Sequence, residues 1–133
     1  MKFGLDTSVV LRLITGEPKP LALAALREVR QRLARQDVLM ISDLVISETY
    51  FALQHHYRMK KAAALHVIGN FLRLSGIKSS GSATEVLKLT SLATAEPGFV
   101  DRLIHAEYLM LDAGMLTFEK LAASLSRVRV LTG

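Results

Sequence analysis

The stretch MKFGLDTSVVLRL, residues 1–13, runs a short apolar segment into Asp6, follows it with Thr7 and Ser8, and then resumes with apolar residues. Lys2 to Leu5 reads as a short buried strand, and Val9, Val10, Leu13 and Ile14 recur at helical spacing, so Asp6 stands at a strand-to-helix corner. An ionised carboxylate buried there without a partner is costly, or it neutralises by taking up a proton. Two roles answer that cost. With Thr7 and Ser8 it supplies capping oxygens to the helix, or it serves as a ligand to a metal ion.

The rest of the chain repeats the alternation of strand and helix. Gly16 and the segment Glu17-Pro18-Lys19-Pro20 close the first helix. Apolar positions 22, 25, 26, 29 and 33 then predict a helix over 21–34, with Arg27, Arg30, Gln31 and Arg35 on its solvated face. VLMIS, residues 38–42, predicts a strand covered on both faces, and Asp43 is placed to cap the helix that carries Glu48. The helix over 60–74 is apolar around much of its girth, as a buried or subunit-facing helix would be. A brief strand at 77–79, a helix over 83–95, and a helix from Asp101 to about Ala113 follow. A strand at 115–117 meets a second hydroxyl-then-acid corner at Glu119, and a short helix leads to the edge-strand pattern RVRVL. Such alternation implies right-handed crossovers and a parallel sheet between helices.

Composition narrows the class. At 133 residues, 50% of them apolar and 22% charged, the chain fits one globular domain over 1–133. It has no cysteine, which excludes a disulfide framework and thiolate metal sites. Neither a signal pattern nor an 18-residue apolar stretch is present, so the expectation is a cytoplasmic protein with no membrane partner. The net charge of +5 favours polyanions such as nucleic acids.

In open parallel sheets, ligands bind at the carboxyl ends of the strands. Asp6 follows the first strand, Glu48 lies in the opening turns after the second, Asp101 begins a helix after Pro97-Gly98, and Glu119 follows the fourth strand. Each alone is accounted for as a favourable charge near a helix N-terminus. Gathered together, carboxylates about 5 Å apart repel by roughly 3 kcal/mol per pair at an effective dielectric near 20, which calls for a cation or raised pKa values. An all-oxygen cluster suits Mg²⁺ or Mn²⁺, the ions of phosphoryl chemistry.

The blocks LDTSVVLRLI, ISDLVISETYFAL, FVDRLIHAEYL and MLTFEKLAASL resemble, in order and over nearly the whole chain, the four motif blocks of PIN-domain ribonucleases. The nearest likeness is to the toxin subunits of VapBC toxin-antitoxin modules. The resemblance implies a three-layer α/β/α PIN-like fold around a mostly parallel sheet of about four or five short strands. It implies that Asp6, Glu48 and Asp101 hold one or two Mg²⁺ or Mn²⁺ ions for hydrolysis of RNA. Glu119 stands where the family usually has a fourth acid, most often Asp, and its extra methylene implies coordination through water or a contribution of charge alone. Thr7, Ser8 and Thr117 match hydroxyls that orient acids, metal or water. The resemblance also implies a cognate antitoxin protein and a homodimer, with the 60–74 helix as a candidate dimer contact.

Arg12, Arg102 and Lys120 lie beside the motifs as candidates to receive the RNA backbone. Histidine chemistry is the competing, metal-free route. His55 and His56 are adjacent and cannot both face one site from a helix, His66 reads as a packing residue, and His105 lies one turn after Asp101. Asp43, Glu107 and Asp112 read as caps or solvent-facing acids. Two rival classes remain: a noncatalytic PIN-like nucleic-acid-binding module, and a phosphate-accepting α/β domain, which lacks here the adjacent acids such folds place near the first strand.

Overall fold

The computed structural model describes all 133 residues, Met1–Gly133. Helices alternate with short strands, and every strand pair is parallel, the mixed α/β class expected of the sequence. The chain forms two compact units, Met1–Thr84 and Glu85–Gly133.

In the first unit, strands β1 (Lys2–Gly4), β2 (Val38–Ile41) and β3 (Lys78–Ser79) pair in the order β1-β2-β3. Gly4 lies opposite Met40, and Ile41 opposite Ser79, so all three strands end at one edge. Helix α1 (Thr7–Thr15) leaves that edge after β1, and α3 (Asp43–His55) leaves it after β2. Gly16 ends α1 in the left-handed conformation, φ 72°, with its N–H donating to the Arg12 carbonyl. A side chain there would be strained, which is why glycine holds this turn. Helix α2 (Lys19–Ala34) starts with Pro20 in its first turn, where the missing N–H costs no helical bond.

The core of this unit joins Val10 of α1, Leu39 and Ile41 of β2, Ile46 and Leu53 of α3, and Ile68 of α4 (Lys61–Leu74). Strand β2 is covered less evenly than its continuous apolar run suggests. Leu39 and Ile41 are buried, while Val38 is 40% exposed and Met40 intermediate. Helix α4 likewise buries one stripe, Ala64, Leu65 and Ile68, and leaves Ala62, Ala63 and Leu74 exposed. Alanines satisfy an apolar pattern without needing burial, since each has little surface to hide.

The predicted helix over 83–95 is broken. Only α5 (Ala83–Val86) and a 3₁₀ turn at Leu92–Thr94 form, and Ser91 between them adopts φ 60°. Thr84, Thr90, Ser91 and Thr94 crowd this segment, and their hydroxyls and branched carbons favour turns over a continuous helix.

In the second unit, helix α6 (Phe99–Met110) precedes β4 (Met115–Thr117), a 3₁₀ turn (Lys120–Ser124) and β5 (Val128–Val130). Strands β4 and β5 pair in parallel, with Thr117 opposite Val130. The five strands thus hydrogen-bond as ladders of three and two. No helix is long and apolar enough to cross a membrane.

Candidate active site

The first unit holds Asp6 and Glu48. Leu5 donates its N–H to the Met40 carbonyl, which locks the end of β1 to β2 and places Asp6 immediately beyond the sheet edge. Asp6 occupies the N-cap position of α1 with extended backbone, yet its side chain accepts no helix N–H. Its one side-chain bond is from the Ser8 hydroxyl, which donates to Oδ2 at 3.1 Å. The expectation that Asp6, Thr7 and Ser8 supply capping oxygens is therefore corrected. Thr7 and Ser8 are already helical, and the Asp6 carboxylate accepts none of the helix N–H groups.

The next corner is capped in the usual way, by a residue other than the one expected. Ser42, not Asp43, caps α3, its Oγ accepting the Val45 N–H at 3.2 Å. Asp43 Oδ2 instead accepts the backbone N–H of Ser82 at 3.1 Å, while its Oδ1 is buried without a partner. Gly81 lies so close that a Cβ there would overlap this carboxylate. Asp43 thus fastens the segment after β3 to the start of α3. Its partner is 39 residues away, a distance that local cap patterns do not read. The hydroxyl oxygen of Thr7 is also buried without a partner. Thr7 and Asp43 each stand three residues beyond the paired Gly4 and Met40.

Glu48 lies just over one turn into α3, exposed, with no hydrogen bond or ion pair. Phe51 and His55 follow it on that helix, exposed and stacked with ring centroids 6.3 Å apart. His66 is exposed rather than packed, its ring nitrogen 2.9 Å from the Asn70 amide. Burial raises the pKa of Tyr50, against a smaller lowering by its hydrogen bond with Gln54, so this phenol stays protonated.

The second unit holds Asp101 and Glu119. Gly98 is the N-cap of α6, so Asp101 falls in the first turn, exposed and without a hydrogen bond or ion pair. Glu119 is employed otherwise. It caps the 3₁₀ turn that follows, Oε1 accepting the Leu121 N–H at 3.2 Å, and its own N–H donates to Thr117 Oγ1 at 3.0 Å.

The neighbouring groups divide into structural and unengaged. Arg102 donates from Nε to the Pro97 carbonyl at 2.7 Å and from a terminal nitrogen to that of Glu96 at 3.3 Å, tying down the loop before α6. His105 is 8% exposed, with Nε2 2.7 Å from the Ser126 carbonyl, a packing role. Asp112 pairs with Arg127 at 2.8 Å. Glu107 and Lys120 are exposed, and Arg12 is intermediate; none of the three makes an ion pair.

Asp6, Glu48 and Asp101 each offer only carboxylate oxygens, the donor type a hard cation takes, and none of them is paired to a Lys or Arg. No group of three or more His, Asp or Glu side chains stands gathered as a metal site. No curated protein and no solved structure matches the chain. The PIN domain family matches residues 4–120, a span that takes in both strand-to-helix corners, Glu48, Asp101 and Glu119. By that match, and with its parallel strands ending at acid-bearing corners, the chain belongs to the PIN domain family.

Proposed function

We propose that this chain is a divalent-metal-dependent ribonuclease, the toxin of a VapBC-like toxin-antitoxin pair, acting in the cytoplasm. Asp6, Glu48 and Asp101 are its metal ligands, for Mg²⁺ or Mn²⁺. The observation that carries the reading is the Asp6 carboxylate. It sits at the N-cap position, where capping is worth about 1 kcal/mol, and leaves the helix uncapped. A carboxylate withheld from that bond is free for another ligand.

When bound, the ion supplies a water of lowered pKa and neutralises charge that develops on the phosphate. The chain's own groups do the rest. Ser8 holds Oδ2 of Asp6, fixing the rotation of the carboxylate. Glu48, on α3, and Asp101, in the first turn of α6, present oxygens that no internal cation neutralises. Glu119 contributes charge, or coordinates through water, because its Oε1 already serves the Leu121 N–H. Thr117 positions Glu119 by accepting its backbone N–H, and Thr7 brings a hydroxyl with no protein partner. Arg12 and Lys120, free of internal ion pairs, receive the RNA backbone, while Arg102 keeps the α6 start in place.

The single-domain organisation over 1–133, the homodimer and the cognate antitoxin belong to the same proposal. The noncatalytic RNA-binding module is the second reading, favoured by the engagement of Glu119 in capping. Cleavage of single-stranded RNA with Mn²⁺, lost on chelation and in Asp6→Asn, supports the nuclease. Tight RNA binding without Mn²⁺-dependent cleavage supports the module.

A further inference from the structure

Positive charge is concentrated in one segment of this chain. Between Lys19 and Arg35 lie five cationic residues and one acid, Glu28, so α2 and its C-cap carry most of the net +5. Lys19 stands exposed at the start of the helix, and the structure sorts the four arginines into two kinds. Arg32 is used internally: its guanidinium lies 4.2 Å from the centroid of the Phe3 ring, 3.5 Å from Asp37 and 3.7 Å from Glu28. Arg27, Arg30 and Arg35 are exposed, and none makes an ion pair or a side-chain hydrogen bond.

The placement of Arg27 and Arg30 has no stabilising explanation within the helix. Arg27 and Arg30 are three residues apart and both exposed, and like charges at that spacing oppose helix formation. The helix dipole favours cations only in the last turn, which accounts for Arg32 and Arg35 but leaves Arg27 and Arg30 unexplained. At 1.5 Å rise per residue the three run over about 12 Å of the helix axis, enough to meet more than one phosphate. A guanidinium presents a planar fork of donors that matches a phosphate in a way an ammonium does not. All three of these exposed cations are arginine.

We propose that the outer face of α2, through Arg27, Arg30 and Arg35, binds the phosphate backbone of single-stranded RNA, using none of the acids assigned to the metal. This rests on the ribonuclease reading above, which makes RNA the polyanion of choice. The surface adds affinity without sequence preference and brings the strand to the protein before any bond is cut.

The test is fluorescence anisotropy of a labelled, unstructured RNA oligonucleotide with the full chain in metal-free buffer, over a range of salt concentrations. Each neutralised phosphate contact on a single strand contributes about 0.7 to the slope of log K against log salt. The triple variant Arg27→Gln/Arg30→Gln/Arg35→Gln should lose about 2 from that slope and bind at least about tenfold more weakly at low salt. The triple lysine variant should keep most of the slope. Circular dichroism and a melting curve confirm that α2 is intact, and charge reversal at Arg27 and Arg30 alone gives a second variant pair.

An unchanged slope and affinity in a folded triple variant overturns the proposal, as does no binding of RNA by the wild type. Equal binding of polyglutamate, with the same loss on substitution, overturns it in favour of an acidic protein segment. Mn²⁺-dependent cleavage of the same RNA, measured at saturating substrate, reports separately on the nuclease reading. Cleavage that persists with an unchanged binding slope sinks only the α2 surface.

Discussion

The Ser8 hydroxyl donates to Oδ2 of Asp6 at 3.1 Å, and no backbone N–H of helix α1 takes either oxygen of that carboxylate. Asp6 therefore contributes little to holding the fold, although it occupies a position where aspartate normally does so.

Asp6→Asn should separate function from stability. The unfolding free energy should stay within about 0.5 kcal/mol of wild type, as for other exposed substitutions that break no cap. RNA cleavage should fall by about 100-fold or more, and manganese uptake by calorimetry should fall with it. Undiminished cleavage in the purified variant would remove Asp6 from the site.

Glu119 should behave in the opposite sense. Its Oε1 caps the turn at Lys120–Ser124, so Glu119→Ala should destabilise the protein by about 1 kcal/mol in urea unfolding. Glu119→Gln keeps an acceptor oxygen and should restore most of that loss. If the glutamine variant is nonetheless slower in cleavage, the carboxylate charge matters beyond the cap; equal rates would leave it a structural residue.

Gly81→Ala should cost about 1–3 kcal/mol, because the new methyl overlaps the Asp43 carboxylate. In Asp43→Ala the obstruction is gone, so the second substitution should cost much less in that background. A double-mutant cycle on chemical unfolding measures this coupling. Additive effects would mean that the segment after β3 is not held by Asp43.

Acid should weaken the contact between the chain's first residue and the end of α2. The hydrogen bond from the Met1 amino group lowers the pKa of Asp37 below its ordinary 3.8; burial acts against this, while the charges of that amino group and of Arg32 add to the lowering. A depressed carboxyl pKa stabilises the fold above the unfolded value, and the benefit disappears as pH falls through the folded value. Denaturant unfolding followed from about pH 6 to pH 2.5 should show a shallower acid decline in Asp37→Asn than in wild type. Parallel declines would contradict the role given to this ion pair.

His105→Phe should lower the melting temperature and leave the pH dependence of cleavage unmoved. The ring nitrogen of buried His105 is bonded to the Ser126 carbonyl, and losing that bond should cost about 0.5–1.5 kcal/mol. A changed pH–rate profile would instead mean that His105 takes part in proton transfer.

Local signals carried most of the element plan. Gly16, Pro20 and the helical spacing of α2 act through a few neighbouring residues, and β1, α1, α2 and β4 form where the pattern places them. The same short range explains the failure over 83–95. There helical spacing competed with a cluster of hydroxyl residues, and the chain folded as two separate turns.

Residue types and their order sufficed to point to the PIN domain family, which matches residues 4–120, and to nominate four acids within that span. What each acid is bonded to was decided by tertiary structure. Asp43 was taken up by an N–H 39 residues away and His105 by a carbonyl 21 residues away, while Asp6 was left without its helix. A side chain's hydrogen-bond partner depends on which distant backbone groups packing brings within 3 Å or so, and spacing along the chain holds no record of that distance.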